Sequence, residues 1–380
     1  MMNLNTIIGE IKQDYLSTMN MVPQLTLVPD TVFNYPVKRL TLLIAGLILF
    51  GCSTANDDNF PIVGYLAETE PVVTNDDAAD DPAIWINLDN TDNSLIFGTD
   101  KKSGIYVYDL NGNVLSYQNL GSINNIDLRV IDNELHLVSS NRSDSTLGYW
   151  ILPIDGIYQY FKNNPDNAFS EDLEHYHLEA NMSVYGICMG IINGAPVAAL
   201  TEEEGVRVQY WDLTQRKVIN TFDITADEDN VPLLGNEAEG CVFDDENKYI
   251  HVSREGARGF LKTYNAEDQQ LVKVIDSRDG NIGGDPEGVA IYEVGATTGY
   301  IILSSQGDSK FNIYDREYPF TYIDSFRVEN VSDTDGIDVT NVSLGDYALN
   351  GILVVQDGYN QPDNQNFKIV SMEEVVKKKE

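Results

Sequence analysis

The sequence predicts an all-β fold, a six-bladed β-propeller, and two repeating patterns carry that expectation. The first is an acidic or polar loop that runs straight into an apolar strand. It occurs as Asp80-Asp81-Pro82-Ala83-Ile84-Trp85, Asn124-Asn125-Ile126-Asp127-Leu128, Val184-Tyr185-Gly186-Ile187-Cys188, Glu237-Ala238-Glu239-Gly240-Cys241-Val242, Asp285-Pro286-Glu287-Gly288-Val289-Ala290-Ile291 and Asp333-Thr334-Asp335-Gly336-Ile337-Asp338-Val339. Successive copies stand about 44 to 60 residues apart, near the period of propellers and solenoids. In the second pattern, about 20 residues further on, an apolar run ends in a short polar loop and a new strand begins. Its copies end at Lys101, Arg142, Glu204, Glu255, Gln306 and Asp357.

Each unit holds several short strands of period-two character between turn residues. No unit buries both of its own faces, so the units must stack. Equivalent loops of a propeller fall on one end of the disc. Both loop families are therefore expected to converge around the central channel. That places Asp80, Asp81, Lys101, Arg142, Tyr185, Glu204, Glu239, Glu255, Asp285, Glu287, Gln306, Asp335 and Asp357 on one face.

Residues 1–51 are an upstream segment plus a secretory signal. Lys38-Arg39 precedes an apolar run from Leu40 to Phe50, which is too short to span a bilayer and suits a signal peptide. Gly51-Cys52 resembles a bacterial lipobox, so Cys52 is expected to carry lipid and the protein to be exported and membrane-anchored, at the periplasm or cell surface of a bacterium. Residues 52–67 read as a tether, 68–372 as the propeller and 373–380 as a charged tail. Cys188 and Cys241 fall on neighbouring units, three and two residues past their loop markers. Strand alternation points them to opposite faces, so they are expected to be buried free thiols. His175 and His177 are expected to face solvent, and His136 and His251 lie within apolar runs.

The chain has 60 acidic and 24 basic side chains, a formal net charge of -36. Such a field repels nucleic acid and anionic membranes, and it repels phosphorylated substrates unless cations intervene. Clustered carboxylates and loop carbonyls suit calcium, which takes oxygen ligands only. Nothing has zinc-ligand spacing. Lys101 and Arg142 stand among these acids either as salt-bridge partners or as an anion clamp. No Gly-x-Ser-x-Gly motif, no Cys-x5-Arg motif and no phosphate-cradling glycine loop before a helix is present. Metal-assisted attack by water remains.

At this point a family resemblance becomes specific. Asp76 to Trp85, Lys101-Lys102-Ser103-Gly104, Asn124-Asn125-Ile126-Asp127, Ser140-Asn141-Arg142-Ser143, Ser304-Ser305-Gln306-Gly307, Ser332 to Asp338 and Asn364-Gln365-Asn366-Phe367-Lys368 closely resemble the β-propeller phytases of bacilli, in the same order, from Glu68 to about Val370. The resemblance implies a calcium-dependent 3-phytase, a phosphomonoesterase acting stepwise on myo-inositol hexakisphosphate (phytate), with a cleavage site beside a phosphate-holding site; the protein is expected to be a monomer. It implies that Lys101, Arg142 and Tyr185 bind phosphate. It assigns Asp80, Glu204, Glu239, Glu255, Asp285, Glu287, Gln306 and Asp335 to the site of catalytic calcium ions and water. Asp81, Pro82 and Ile126 resemble one structural calcium site, and Glu68 with Asp357 another. Glu203 stands where the family usually has Lys, and Glu329-Asn330 and Tyr359 depart from its calcium-site loops. Two other readings are a calcium-dependent propeller lactonase or esterase and a non-catalytic lipoprotein that captures polyanions. Lys101 and Arg142 sit awkwardly with a neutral lactone, and the acid set argues against mere capture.

Overall fold

The computed structural model describes residues 60–170, 173–224 and 237–376. The expected leader, lipidation at Cys52 and the start of the tether lie outside the described residues. Among the described residues, no helix is long and apolar enough to cross a membrane.

Among the described residues six sheets are present, and each is a meander whose first strand faces the channel. The six innermost strands are Ala79–Trp85, Ile123–Ile131, Val184–Ile192, Ala238–Asp244, Asp285–Glu293 and Ile337–Val339. Each neighbours the next, and the sixth neighbours the first, so the ring is closed. Six apolar clusters fill the six spaces between blades. Between blades 1 and 2, for example, Phe97 and Val107 meet Leu137 and Trp150; between blades 6 and 1, Val354 and Phe367 meet Ile84 and Tyr108. A twisted four-stranded sheet has two apolar faces, and only stacking buries both.

The ends of the chain close the ring. Ala67–Glu68 pairs antiparallel with Asn366–Ser371 as the outer strand of blade 6. Ile62–Val63 runs parallel to Tyr322–Val328 as a fifth strand of blade 5. The propeller therefore begins before the expected boundary at 68: residues that read as a tether supply backbone hydrogen bonds to two blade edges. It also ends later than 372. Met372–Val376 forms a short helix that buries Met372 and Val375 in the cluster between blades 5 and 6, so the apolar residues of the expected tail are packed.

The expectation of free thiols is overturned, because Cys188 and Cys241 form a disulfide, with Cα atoms 5.6 Å apart. The alternation argument placed them correctly on opposite faces of equivalent strands. Blades, however, stack with the forward face of one against the rear face of the next. Cys188 looks forward from blade 3 into the same cluster as Cys241 and Phe243 of blade 4, while Ile187 and Met189 look back toward blade 2. Opposite faces of neighbouring blades are the faces that meet.

Candidate active site

Local geometry aims each marker residue at the channel mouth. Each of the first five innermost strands breaks register at its marker: between Ala79 and Pro82, Ile123 and Ile126, Val184 and Ile187, Ala238 and Cys241, and Pro286 and Val289. A bulge leaves two residues opposite one and turns the extra side chain out of the sheet. The glycine after the marker is required by close approach. A Cβ on Gly186 would lie 2.0 Å from Glu239 O, and one on Gly240 would lie 2.5 Å from Glu287 O. Each marker backbone thus leans on the next.

A second device was not anticipated from the sequence. A hydroxyl on the second strand of each of the first five blades donates to a carbonyl at or beside the next blade's marker. Thr99 Oγ1 reaches Asn124 O at 2.6 Å, Ser140 Oγ reaches Tyr185 O, Thr201 Oγ1 reaches Glu239 O at 3.4 Å, Ser253 Oγ reaches Glu287 O at 2.6 Å and Ser304 Oγ reaches Thr334 O at 2.9 Å. Gln356 closes the circle by donating to Ala79 O at 3.0 Å. The signal was present as Ser or Thr in the first five copies of the second pattern and as Gln356 in the sixth.

These devices gather the acids. Asp80, Glu239, Glu287 and Asp335 are all buried. Carboxylate oxygens of Asp80, Glu239 and Asp335 lie within 4.8 Å of one another, and so do those of Glu239, Glu255 and Glu287. Glu239 belongs to both triads. Burial, then the neighbouring carboxylates, pushes Asp80, Glu239 and Glu287 well above the usual carboxylate range. The same causes push Glu255 up to about 7. Asp80 Oδ2 and Glu239 Oε2 are buried without a hydrogen-bond partner. A cation fits this set: the donors are all oxygen, two of them lack a partner, and atoms within 4.8 Å can share one ion at the ~2.3–2.6 Å of calcium–oxygen contacts.

Cations line the adjoining wall. Lys101 Nζ lies 3.0 Å from Asp335 Oδ2, 2.9 Å from Asp77 Oδ1 and 3.5 Å from Asp80 Oδ1. Burial disfavours its charge, and Asp335, Asp80 and Asp77 override that effect. Arg142 lies over the Tyr185 ring at 5.0 Å and donates through Nη1 to Asn124 Oδ1 at 3.1 Å. Tyr185 OH donates to Glu255 Oε1 at 3.2 Å. The Glu239 carboxylate, then burial, raises the phenol so far that it stays protonated.

The phytase family model matches residues 37–379. The chain belongs to the phytase family. It is 33% identical over 369 residues to the 3-phytase of Bacillus subtilis (strain 168), covering 90% of this chain and 93% of that protein. Among solved structures, a luciferin-regenerating enzyme superposes with a TM-score of 0.51 at 10% identity, covering 80% of this chain and 96% of that one. That likeness concerns the propeller fold alone.

The remaining expected site residues of this phytase family member divide. Asp285 is at the rim, where its Oδ1 accepts from Gly256 N at 3.0 Å and pairs with Arg278, an arginine that sequence reasoning missed. Glu204 is exposed at the tip of its turn with φ 52°, so it does not join the buried acids; its neighbour Glu203 turns inward onto Arg142. Gln306 lines a neighbouring basin with Asp77, Asp333 and Asn360. Asp81, Pro82 and Ile126 do meet, at a throat of the channel with space of about 30 Å³, and Asp81 Oδ2 accepts from Ile126 N at 3.1 Å. Glu68 and Asp357 meet too, but around Lys368: its Nζ pairs with Glu68 Oε2 and lies 3.3 Å from Asp357 Oδ2. The chain's own ammonium supplies the positive charge there, so that pair does not fit the metal site the resemblance implied.

Proposed function

We propose that this enzyme hydrolyses the phosphate monoesters of phytate one at a time, with calcium as the resident cation and water as the attacking group. The observation that carries the reading is Glu239, shared by two triads of carboxylate oxygens and left with a buried oxygen that has no protein partner. Asp80, Glu239 and Asp335 would hold one ion and Glu239, Glu255 and Glu287 another, and Asp81 with Pro82 and Ile126 would hold a structural one in the throat. Bound calcium supplies positive charge against an anionic substrate and acidifies an attacking water.

The chain's own groups do the rest. Lys101 and Arg142 bind phosphate oxygens and neutralise the charge of the transferring group, where preorganised cations are most effective. Tyr185 braces Arg142 from below and Asn124 fixes its fork. In the step itself the water oxygen bonds to phosphorus, the ester P–O bond breaks, and the proton given up by water ends on the departing alcohol. The exposed turn position of Glu204 leaves it no part in this step. The test is phosphate release from phytate across a calcium titration. Activity that persists in excess chelator would rule the mechanism out.

The same reading includes export and a lipid on Cys52, supported by the Lys38-Arg39, Leu40–Phe50, Gly51-Cys52 sequence. Cys52→Ser should move the protein from the membrane fraction to the soluble fraction; a mature N-terminus upstream of Cys52 would contradict it.

A further inference from the structure

We propose that Glu203 is a specificity-determining residue that selects substrates presenting a hydroxyl, rather than a second phosphate, beside the phosphate being removed. This rests on the phosphomonoesterase reading above and names the part of the substrate range the site is shaped for: partly dephosphorylated inositol phosphates and related polyol phosphates.

The basin next to the acid cluster holds about 370 Å³ and is lined by Asp77, Lys101, Lys102, Ser122, Arg142 and Glu203. Its size suits a small ligand. Its three cations are already engaged. Lys101 is bound by Asp335 and Asp77, and Lys102 Nζ donates to Asn75 O at 2.7 Å. Arg142 is fixed by Asn124 on one edge and by the Tyr185 ring beneath, and its Nη2 pairs with Glu203 Oε1. The guanidinium edge open to the basin is therefore the edge on which Glu203 sits.

Glu203 is not a freely swinging surface acid. Its side chain is 29% exposed and that of Arg142 is 31% exposed. Its backbone N–H donates to Ser183 O at 3.2 Å. On the far side of the turn Glu202 is held by Arg207, and Gly205 O accepts from Ala238 N at 3.0 Å. The turn is tied to both neighbouring strands and presents one carboxylate to the basin.

A phosphate entering beside the scissile group would lie against that carboxylate and compete with it for Arg142. Like charges placed together are an effective way to reject a ligand. A hydroxyl meets the opposite situation. It donates to the second oxygen of Glu203 and makes no claim on Arg142, whose guanidinium the scissile phosphate then shares with Glu203, so one residue both repels one substituent and binds the other.

The experiment compares the full-length enzyme with Glu203→Gln and Glu203→Lys at one fixed calcium concentration. Turnover and calorimetric binding are measured for myo-inositol hexakisphosphate, for an inositol tetrakisphosphate carrying a hydroxyl beside a phosphate, and for p-nitrophenyl phosphate as each protein's own reference. For the wild type, kcat/KM should favour the tetrakisphosphate. Glu203→Gln should lower KM for the hexakisphosphate about tenfold, the order of one lost like-charge contact, and Glu203→Lys should reverse the preference. A preference unchanged in Glu203→Lys would overturn the proposal. So would a higher KM for the hexakisphosphate in Glu203→Gln, which would mean that Glu203 holds a bridging cation instead. If no protein releases phosphate while the binding ratios shift as stated, the hydrolysis reading falls and the assignment of Glu203 stands.

Discussion

Lys368 Nζ lies 3.3 Å from Asp357 Oδ2, and both side chains are sealed from solvent. Glu68, on the N-terminal strand that closes blade 6, pairs with the same ammonium, and Asn360 Oδ1 accepts from it at 3.2 Å. One lysine therefore joins the two ends of the chain where the ring closes. Removing one partner of a buried ion pair leaves the other charge without compensation, at a cost of about 3–5 kcal/mol. Lys368→Met should lower the melting temperature by several degrees in both calcium and chelator. If calcium alone restored the wild-type value, Asp357 and Glu68 would be able to bind an ion after all.

The Cys188–Cys241 bond joins the innermost strands of blades 3 and 4, three and two residues past Tyr185 and Glu239. A cross-link over 53 residues of sequence restricts the unfolded chain by up to about 4 kcal/mol in the chain-entropy model. The Cys188→Ser, Cys241→Ser double variant should unfold at lower temperature. Wild-type protein unfolded without reductant should show neither thiol to an alkylating reagent by mass spectrometry. Two alkylated cysteines at these positions would disprove the bond.

Much of this was legible because the fold is a repeat. An acid or polar marker in each blade, a glycine after it in the last four and a Ser or Thr on the next strand of the first five recur because the blades solve the same problem of approaching a neighbour. Glu239, Glu287 and Asp335 could be read as one cluster before any coordinates, since equivalent positions in a ring converge. What was hidden depends on contacts outside the repeat. Arg278 reaches Asp285 from a connection between blades, and no spacing rule marks it. The repeat places Glu204 inward, whereas the left-handed turn at that position moves the inward role to Glu203. Lys368 belongs to the Asn364–Lys368 motif, but that its ammonium stands between Glu68 and Asp357 depends on how the first and last strands pair.

Gly186 tests the close approach directly. Its added Cβ would meet Glu239 O at 2.0 Å and Thr201 Oγ1 at 3.0 Å, and a backbone carbonyl cannot rotate away as a side chain can. Gly186→Ala should push blades 3 and 4 apart at the site. Overpacking of this kind costs about 1–3 kcal/mol or more. It should also weaken calcium binding, because the displaced carbonyl belongs to Glu239. Calorimetric calcium affinity equal to wild type would show that the strand absorbs the shift.

His251 gives a pH dependence that is separable from the acids. It is fully buried, its Nδ1 is 2.7 Å from Thr263 Oγ1, and the rings of Tyr249 and Phe320 pack against it. Burial lowers it to about 4; Asp244 favours its charge and Arg316, paired with that aspartate, opposes it. As pH falls below the ordinary histidine value of about 6.5, the unfolded chain takes up a proton that the folded chain refuses. Stability tied to His251 is therefore complete at neutral pH and is lost between about 6.5 and 4, by an amount on the order of 3 kcal/mol. Unfolding of wild type and His251→Gln in urea at pH 7 and pH 5 measures it: the difference between them should shrink at the lower pH. A constant difference would mean that His251 is protonated in the fold.

Glu239 is the strictest test of the site. Its carboxylate is the member common to both triads, and its Oε2 is buried without a partner. It also stands first among the causes that raise the phenol of Tyr185, the ring over which Arg142 lies. Glu239→Gln keeps the shape and one oxygen but removes the charge. Both ions would then lose a shared anionic ligand, whereas a change at Asp80 or Glu287 would touch only one triad. Losing even an outer-shell partner of a metal site costs about 10–100-fold in affinity or activity, and a directly facing carboxylate should cost at least the upper figure. Phosphate release from phytate should therefore fall by about 100-fold or more at calcium concentrations that saturate the wild type. Part of the loss should return at higher calcium, because the amide can still coordinate. The neutral side chain also removes like-charge repulsion among Glu255, Glu287 and Asp80, so the calcium-free variant should melt at a higher temperature than calcium-free wild type. Lower activity together with higher apo stability would be the mark of a residue held against its own charge for the sake of the ions. A variant equally active and no more stable would place the reaction elsewhere on the disc.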